Sequence, residues 1–127
     1  MDRGILVTSV LIADDVTALP GVLAISVISL AELQFGVLIA ADDRARALRL
    51  RRLSAVHRRF DALPVDEAVA ESYGMLAAQI VSAGWQRRSR SLDLMIAATA
   101  HAQGATLYTR NVDDFRGLSD LLAVEQA

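Results

Sequence analysis

The sequence predicts an α/β fold in which a parallel sheet of four or five strands is packed between helices. Short apolar runs typical of buried strands alternate with longer segments typical of helices. Hydrophobic residues make up 54% of the 127 residues, which is enough for one core but not for two. We therefore expect a single domain over residues 1–127, with a core built mainly from aliphatic side chains and alanine.

The predicted strands are short apolar runs next to turn residues. They lie at residues 5–7, 23–25, 63–65 and 106–109, with a fifth at 122–124. Pro20 and Gly21 form a strong turn signal before the second strand. Pro64 places the third strand at an edge of the sheet, because proline cannot donate a ladder hydrogen bond.

Four helices are predicted between these strands. They cover about residues 29–41, 44–59, 66–83 and 92–103. Ser29 and Glu32 have the spacing of a capping box, which predicts that the first helix begins at about Ser29. Asp66 is the expected cap of the third helix, and Gly84 and Gly104 are expected to end the third and fourth.

The basic residues are all arginine, and ten of the 13 fall in two clusters. Seven lie between Arg44 and Arg59, and three lie between Arg87 and Arg90. Arginine binds phosphates through a planar fork of donors, so both clusters permit contact with nucleic acid. For the first cluster a solvated helix face is the favoured interpretation. The net charge of -2 gives no indication of a partner by itself.

Several classes of function are disfavoured by the composition. The chain has no cysteine, which excludes disulfides and thiolate chemistry and favours a reducing compartment. No segment has the ~20 apolar residues of a membrane span, and the start lacks the features of a signal peptide. His57 and His101 lack the orienting partner of a catalytic triad, and the glycines match no nucleotide-binding fingerprint. We expect a cytoplasmic protein.

Three carboxylates can converge on one edge of the predicted sheet. Glu32 lies near the start of the helix after the second strand, Asp93 lies near the start of an apolar helix, and Asp114 follows the late strand. In open parallel sheets, ligands bind beyond the carboxyl ends of the strands. Each residue alone is explained as an acid at the start of a helix or turn. Together they are the ligand type that Mg²⁺ or Mn²⁺ prefers, and these ions can activate water for phosphodiester hydrolysis.

Four segments in order carry a family pattern over nearly the whole chain. They are residues 7–13, 26–33, 92–100 and 109–115. Each is weak alone, but together they resemble PIN-domain ribonucleases of the VapC toxin type, especially those of mycobacteria. The resemblance implies an endoribonuclease that depends on Mg²⁺ or Mn²⁺. It also implies a homodimer and a VapB-type antitoxin that inserts a segment into the active-site groove.

The resemblance also implies roles for individual residues. Glu32, Asp93 and Asp114 would be catalytic and would hold the metal ion or its bound waters. Supporting roles would fall to Thr8, Ser9, Asn111 and Asp113. Arg87, Arg88 and Arg90 precede Asp93 and would either contact RNA phosphates or belong to a solvated loop, and Arg110 is a further candidate for contact with RNA.

Val7 departs from the family pattern, which has an aspartate here as the first-strand ligand of the metal. Valine cannot bind a cation, and hard divalent ions are held by few protein carboxylates, so losing one weakens binding. Asp2, Asp14 and Asp15 lie nearby in sequence, but none is at the end of the strand. We therefore expect this chain to be weakly active or inactive.

Two other functions remain open from the sequence. One is a catalytically silent module that holds RNA or an antitoxin without cleavage. The other is a PIN nuclease of RNA processing or DNA repair. The compact chain, without added domains, favours a toxin over this second alternative. Trp85, expected in a loop beside Gly84, is interpreted as packing on a partner or on the antitoxin.

Overall fold

A computed structural model describes residues 2–85 and 90–127 and shows a five-stranded sheet. The strands are β1 (Arg3–Leu6), β2 (Val22–Ser26), β3 (Asp61–Leu63), β4 (Thr106–Thr109) and β5 (Val124–Gln126). Their order is β3-β2-β1-β4-β5, and every neighbouring pair is parallel. The predicted fold class is confirmed, and each strand lies within two residues of its predicted position.

Five helices connect the strands in the described part of the chain. They are α1 (Thr8–Ile12), α2 (Val27–Leu38), α3 (Asp43–Arg59), α4 (Glu67–Ser82) and α5 (Ser91–Ala102). A 3₁₀ helix, Val112–Leu118, follows β4. The short helix α1 was not predicted, because five residues are too few to show a helical period. Among the residues described, no helix is long and apolar enough to cross a membrane.

The sheet separates two hydrophobic cores, because successive side chains of a strand point to opposite faces. Ile5 of β1 packs with residues of α4 and α5 such as Leu76 and Ile96. Leu6, the next residue, packs on the other side with residues of α2 and α3 such as Leu33 and Leu53. The helices α4 and α5 therefore cover one face of β1, and α2 and α3 cover the other.

The start of α2 corrects the capping-box prediction. The cap is Ser26, the last residue of β2, whose hydroxyl accepts a 3.1 Å hydrogen bond from the amide of Ile28. Because the strand passes directly into the helix, α2 begins at Val27 rather than at about Ser29, and it ends at Leu38. Ser29 and Glu32 lie inside the helix, where both bind the side chain of Thr8 instead.

The predicted ends of the later helices are confirmed. The carboxylate of Asp66 accepts from the amide of Val69 at 3.0 Å and caps α4. Gly84 and Gly104 follow α4 and α5 with φ angles of 81° and 62°, a conformation that side chains disfavour. Gly104 lies in the short turn that connects α5 to β4.

Candidate active site

The carboxyl ends of the central strands bring the candidate residues together. Strand β1 pairs with both β2 and β4, so residues that follow these three strands share one edge of the sheet. Val7 follows β1, and its amide donates to the carbonyl of Tyr108 in β4 at 2.9 Å. Glu32 lies on α2, which continues β2 directly, and Asp114 lies in the 3₁₀ helix after β4.

Asp93 lies in the first turn of α5 and interacts electrostatically with the other two carboxylates. Burial raises the pKa of Asp93 above its ordinary value of 3.8, and the negative charges of Glu32 and Asp114 raise it further. The guanidinium of Arg90 acts in the opposite direction. Glu32 and Asp114 therefore lie close enough to Asp93 to disfavour its ionised form, and a cation between these carboxylates would favour it.

Thr8 connects the first motif to α2. Its hydroxyl donates to Glu32 Oε1 at 2.6 Å and lies 2.9 Å from the hydroxyl of Ser29. A hydrogen bond to a carboxylate is stronger than one between neutral groups. Thr8 thus fixes one carboxylate oxygen of Glu32 in place, and Ser9, the next residue of α1, is half-buried beside it.

Asp114 is held from two directions. Asn111 Nδ2 donates to Asp114 Oδ1 at 3.1 Å, and the guanidinium of Arg90 donates to the backbone carbonyl of Asp114. The backbone amide of Asn111 in turn donates to the hydroxyl of Thr109 at 3.1 Å. Asp113, the other acid of this motif, is exposed. Among the supporting residues predicted from the sequence, Thr8 and Asn111 thus contact candidate carboxylates directly.

Val7 makes the end of β1 apolar. Its side chain is 5% exposed and belongs to the core between the sheet and α4 and α5. Within residues 2–85 and 90–127, no three acidic or histidine side chains are grouped closely enough to hold a metal ion. The carboxylate oxygens of Glu32, Asp93 and Asp114 fit Mg²⁺ or Mn²⁺ in their chemistry. As placed among the described residues, however, these three side chains are not grouped closely enough to form such a site.

The candidate RNA-binding arginines differ in their surroundings. Arg87 and Arg88 lie outside the described residues. The guanidinium of Arg90 is 5.1 Å from the ring centroid of Trp85. The guanidinium of Arg110 is bound within the chain. Its nitrogens lie 3.0 Å from a carboxylate oxygen of Asp15 and 3.0 Å from the backbone carbonyl oxygen of Ala127.

Sequence reasoning missed two contributors to the site. Ser29 was interpreted as a helix cap, although its hydroxyl contacts Thr8 across 21 residues of sequence. Trp85 was interpreted as packing on a partner or on the antitoxin, which stays a prediction; within the chain it packs against the core of α4 and α5 and lies beneath Arg90 and Arg116. The contacts of Ser29 with Thr8 and of Trp85 with Arg116 have no local sequence signal, because their partners come from distant segments of the chain.

A cavity of about 460 Å³ lies apart from the carboxylates. It is bordered by the connection between α1 and β2 and by α3, including Arg52 and Arg59. None of Glu32, Asp93 and Asp114 lines it. The candidate chemistry is therefore located at the open edge of the sheet rather than in this cavity.

Comparisons with known proteins agree with this fold. The model of the PIN domain family matches residues 5–121. Ribonuclease VapC5 of Mycobacterium tuberculosis is 38% identical over 128 residues, with 96% of this chain and 92% of the relative covered. Ribonuclease VapC8 of the same species is 42% identical over 101 residues, with 76% of this chain and 89% of the relative covered.

Solved structures give the same result. The crystal structure of VapBC-5, a toxin–antitoxin system of Mycobacterium tuberculosis, matches with a TM-score of 0.85 and 37% identity, covering 99% of this chain and 98% of that one. VapBC2 of Rickettsia felis, bound to a DNA fragment from its promoter, matches with a TM-score of 0.81 and 26% identity, covering 98% of both chains. The chain belongs to the PIN domain family, and its relatives include VapC ribonucleases.

Proposed function

We propose that the chain is the toxin of a type II toxin–antitoxin pair and an endoribonuclease that depends on Mg²⁺ or Mn²⁺. The observation that carries the proposal is the electrostatic interaction of Asp93 with Glu32 and Asp114 at the carboxyl edge of the sheet. The names of the relatives support the reaction, because VapC5 and VapC8 are ribonucleases. The reaction is hydrolysis of RNA phosphodiester bonds, carried out by one PIN domain over residues 1–127.

Glu32, Asp93 and Asp114 are the residues that would hold the ion. A bound Mg²⁺ or Mn²⁺ supplies an activated water and stabilises negative charge on phosphate oxygens. Thr8 keeps the Glu32 carboxylate oriented through its 2.6 Å hydrogen bond. Asn111 does the same for Asp114 at 3.1 Å, which leaves the second oxygen of that carboxylate for another partner.

We also propose that Val7 impairs this activity. Its position at the end of β1, beside β4, is the place where the family pattern has an aspartate. A valine that is 5% exposed adds apolar surface and no charge to the site. Because Mg²⁺ binds through few protein carboxylates and keeps several waters, one missing carboxylate weakens binding strongly.

A VapB-type antitoxin is the proposed protein partner. Support comes from the solved structures, which are VapBC assemblies that match nearly the whole chain. We also propose a cytoplasmic homodimer and contacts of Arg87, Arg88, Arg90 and Arg110 with RNA phosphates. For Arg90 and Arg110, such contacts would use guanidinium donors that their present partners leave available.

The test is RNA cleavage by this chain, by its Val7→Asp variant and by its Val7→Asn variant. Asparagine has the size of aspartate but no charge, so it separates the effect of the carboxylate charge from the effect of a polar side chain. We expect cleavage by Val7→Asp only, with Mg²⁺ or Mn²⁺ and not with a chelator. Equal cleavage by all three proteins would contradict the role given to Val7. No cleavage by a folded Val7→Asp variant on varied RNAs would contradict the nuclease.

A silent binding module is the second candidate function. The observation that favours it is the packing of Val7 into the core, which leaves the end of β1 without a polar group. This candidate predicts that the chain and its Val7→Asp variant both bind RNA or antitoxin, and that neither cleaves. Gel-shift and cleavage assays on the same samples distinguish the two functions.

A further inference from the structure

Trp85 lies at a junction of three elements. It follows α4, and its amide donates to the carbonyl of Ile80 at 2.9 Å. Its half-buried ring packs against the core of α4 and α5. The guanidinium carbons of Arg90 and Arg116 lie 5.1 and 5.0 Å from its ring centroid, which is within the range of cation–π attraction.

The two arginines belong to the elements that carry two of the candidate carboxylates. Arg90 immediately precedes α5, whose first turn contains Asp93. Arg116 lies in the 3₁₀ helix, two residues after Asp114. Arg90 also donates to the backbone carbonyl of Asp114, so one side chain contacts both the indole ring and the second element.

The ring also touches the backbone of the 3₁₀ helix. A Cβ atom added at Gly117 would lie 3.9 Å from the Cδ2 and Cε2 atoms of Trp85 and 3.7 Å from Ile80 Cδ1. The indole therefore packs against the 3₁₀ helix where that helix has no side chain. An aliphatic residue at position 85 would fill part of this space, but it would have no ring face to attract the guanidinium groups.

We propose that Trp85 is a positioning residue, which holds the 3₁₀ helix with Asp114 against the start of α5 with Asp93 by binding Arg90 and Arg116 on one ring. The consequence for catalysis rests on the proposed function, whereas the positioning itself does not. Trp85 and Arg90 are half-buried, where cation–π attraction is stronger than at an exposed site, whereas Arg116 is exposed.

Phe60 provides a matched control. It is half-buried and packs against the core on the other face of the sheet, and the guanidinium carbon of Arg59 lies 5.3 Å from its ring centroid. Phe60→Leu therefore removes an aromatic ring with an arginine above it, at a place remote from the 3₁₀ helix. A general loss of packing would affect Trp85→Leu and Phe60→Leu alike.

Amide hydrogen exchange of the metal-free chain tests the positioning without any assay of activity. We expect exchange over residues 112–118 to be about fivefold faster in Trp85→Leu than in the parent chain, since roughly 1 kcal/mol of local stability is removed. Trp85→Phe, which keeps a ring, and Phe60→Leu should stay close to the parent in this segment. Arg116→Met is a second probe at an exposed residue and should also accelerate exchange there. Unchanged exchange in both Trp85→Leu and Arg116→Met would overturn the proposal.

Kinetics in the Val7→Asp background test the catalytic consequence. We expect Trp85→Leu to lower kcat about tenfold to a hundredfold with little change in KM, because misplaced carboxylates slow the chemical step more than they weaken RNA binding. Trp85→Phe should restore most of kcat, and Phe60→Leu should leave it unchanged. An active Val7→Asp variant whose kcat is insensitive to Trp85→Leu would overturn the catalytic consequence and leave the proposed function intact. If Val7→Asp itself is inert, the proposed function fails, and hydrogen exchange alone decides the positioning.

Discussion

Thr8 donates its only hydroxyl proton to Glu32 Oε1 across 2.6 Å, so it must accept the hydrogen bond that connects it to Ser29 across 2.9 Å. This chain of donors runs from Ser29, through Thr8, to the carboxylate of Glu32. It links α1, the helix that follows the first strand, to α2, the helix that carries the first candidate acid. Because Ser29 is fully buried, its hydroxyl needs this partner within the protein.

The Thr8→Val substitution tests this hydrogen-bond chain. Valine has the shape of threonine, so it removes the hydroxyl while keeping the volume. We expect the free energy of unfolding to fall by about 2 kcal/mol, since a hydrogen bond to a charged group is lost and Ser29 is left without its acceptor. Urea denaturation measures the change. Thr8→Ser keeps the hydroxyl and should cost clearly less, and an equal cost for both variants would contradict the hydrogen-bond explanation.

The raised pKa of Asp93 predicts how the stability of the fold depends on pH. Burial raises its pKa above 3.8, as do Glu32 and Asp114 to a smaller extent, so the folded state disfavours the charged form. A group with a raised folded pKa contributes stability that is fully present below the unfolded pKa and is lost as the pH rises through the folded pKa. We therefore expect Asp93→Asn to unfold less readily than the parent at neutral pH, without metal.

The difference between Asp93→Asn and the parent should shrink as the pH falls and should level off below 3.8, where the parent carboxyl becomes protonated in the unfolded state as well. Urea denaturation in a chelator at several pH values measures it. A variant that is less stable than the parent at neutral pH would show that contacts of the carboxylate outweigh its burial and the repulsion from its neighbours.

Introducing a carboxylate at position 7 has an expected cost in stability. The side chain there is 5% exposed and surrounded by the core, so a charge without a cation is poorly solvated. We expect Val7→Asp to lose roughly 1–3 kcal/mol of stability in a chelator. Mn²⁺ at a hundred times its dissociation constant should add about 2.7 kcal/mol, which offsets most or all of this loss.

Thermal unfolding with and without Mn²⁺ measures this effect, and Val7→Asn is the matched control. Asparagine introduces a buried polar group but no charge, so its stability should respond little to Mn²⁺. If Mn²⁺ stabilised the two variants and the parent equally, a carboxylate at position 7 would contribute nothing to binding of the ion.

Features that depend on neighbouring residues could be predicted from the sequence, whereas contacts between distant segments could not. The strands and most helix ends were predictable, because apolar runs, Asp66 and Gly104 act on their immediate neighbours. The approximate site was predictable as well, since parallel strands bring residues such as Glu32 and Asp114 to one edge. The predicted start of α2 was wrong because Ser29 has the spacing of a helix cap relative to Glu32. Only the folded position of Thr8 shows that the hydroxyl of Ser29 has another partner.

The arginines show the same limit. Composition indicated a solvated or phosphate-binding cluster over α3, and exposure agrees with a solvated face for most of it. The structure adds that Arg46 and Arg49 donate to the carbonyls of Ala40 and Gly36, at or near the end of α2. The partners lie in α2 and in the segment between α2 and α3, so the spacing of arginines within α3 contains no information about them.

Arg49 therefore supports a last prediction, about the end of α2. Its guanidinium donates to the carbonyl of Gly36 at 2.6 Å, one of the carbonyls that a helix leaves without an internal partner. We expect Arg49→Met to lower the free energy of unfolding by roughly 0.5–1 kcal/mol. Arg51, exposed on the same helix, makes no hydrogen bond or ion pair with the residues that the structure describes.

Arg51→Met removes the same charge as Arg49→Met and should change stability by less than about 0.5 kcal/mol. Urea denaturation compares the two variants, and gel shifts with RNA compare their binding. If the substitutions destabilise equally, the contact with Gly36 contributes nothing beyond net charge. If both weaken RNA binding equally while only Arg49→Met destabilises, this arginine acts twice: it binds RNA through its charge and stabilises the end of α2 through its geometry.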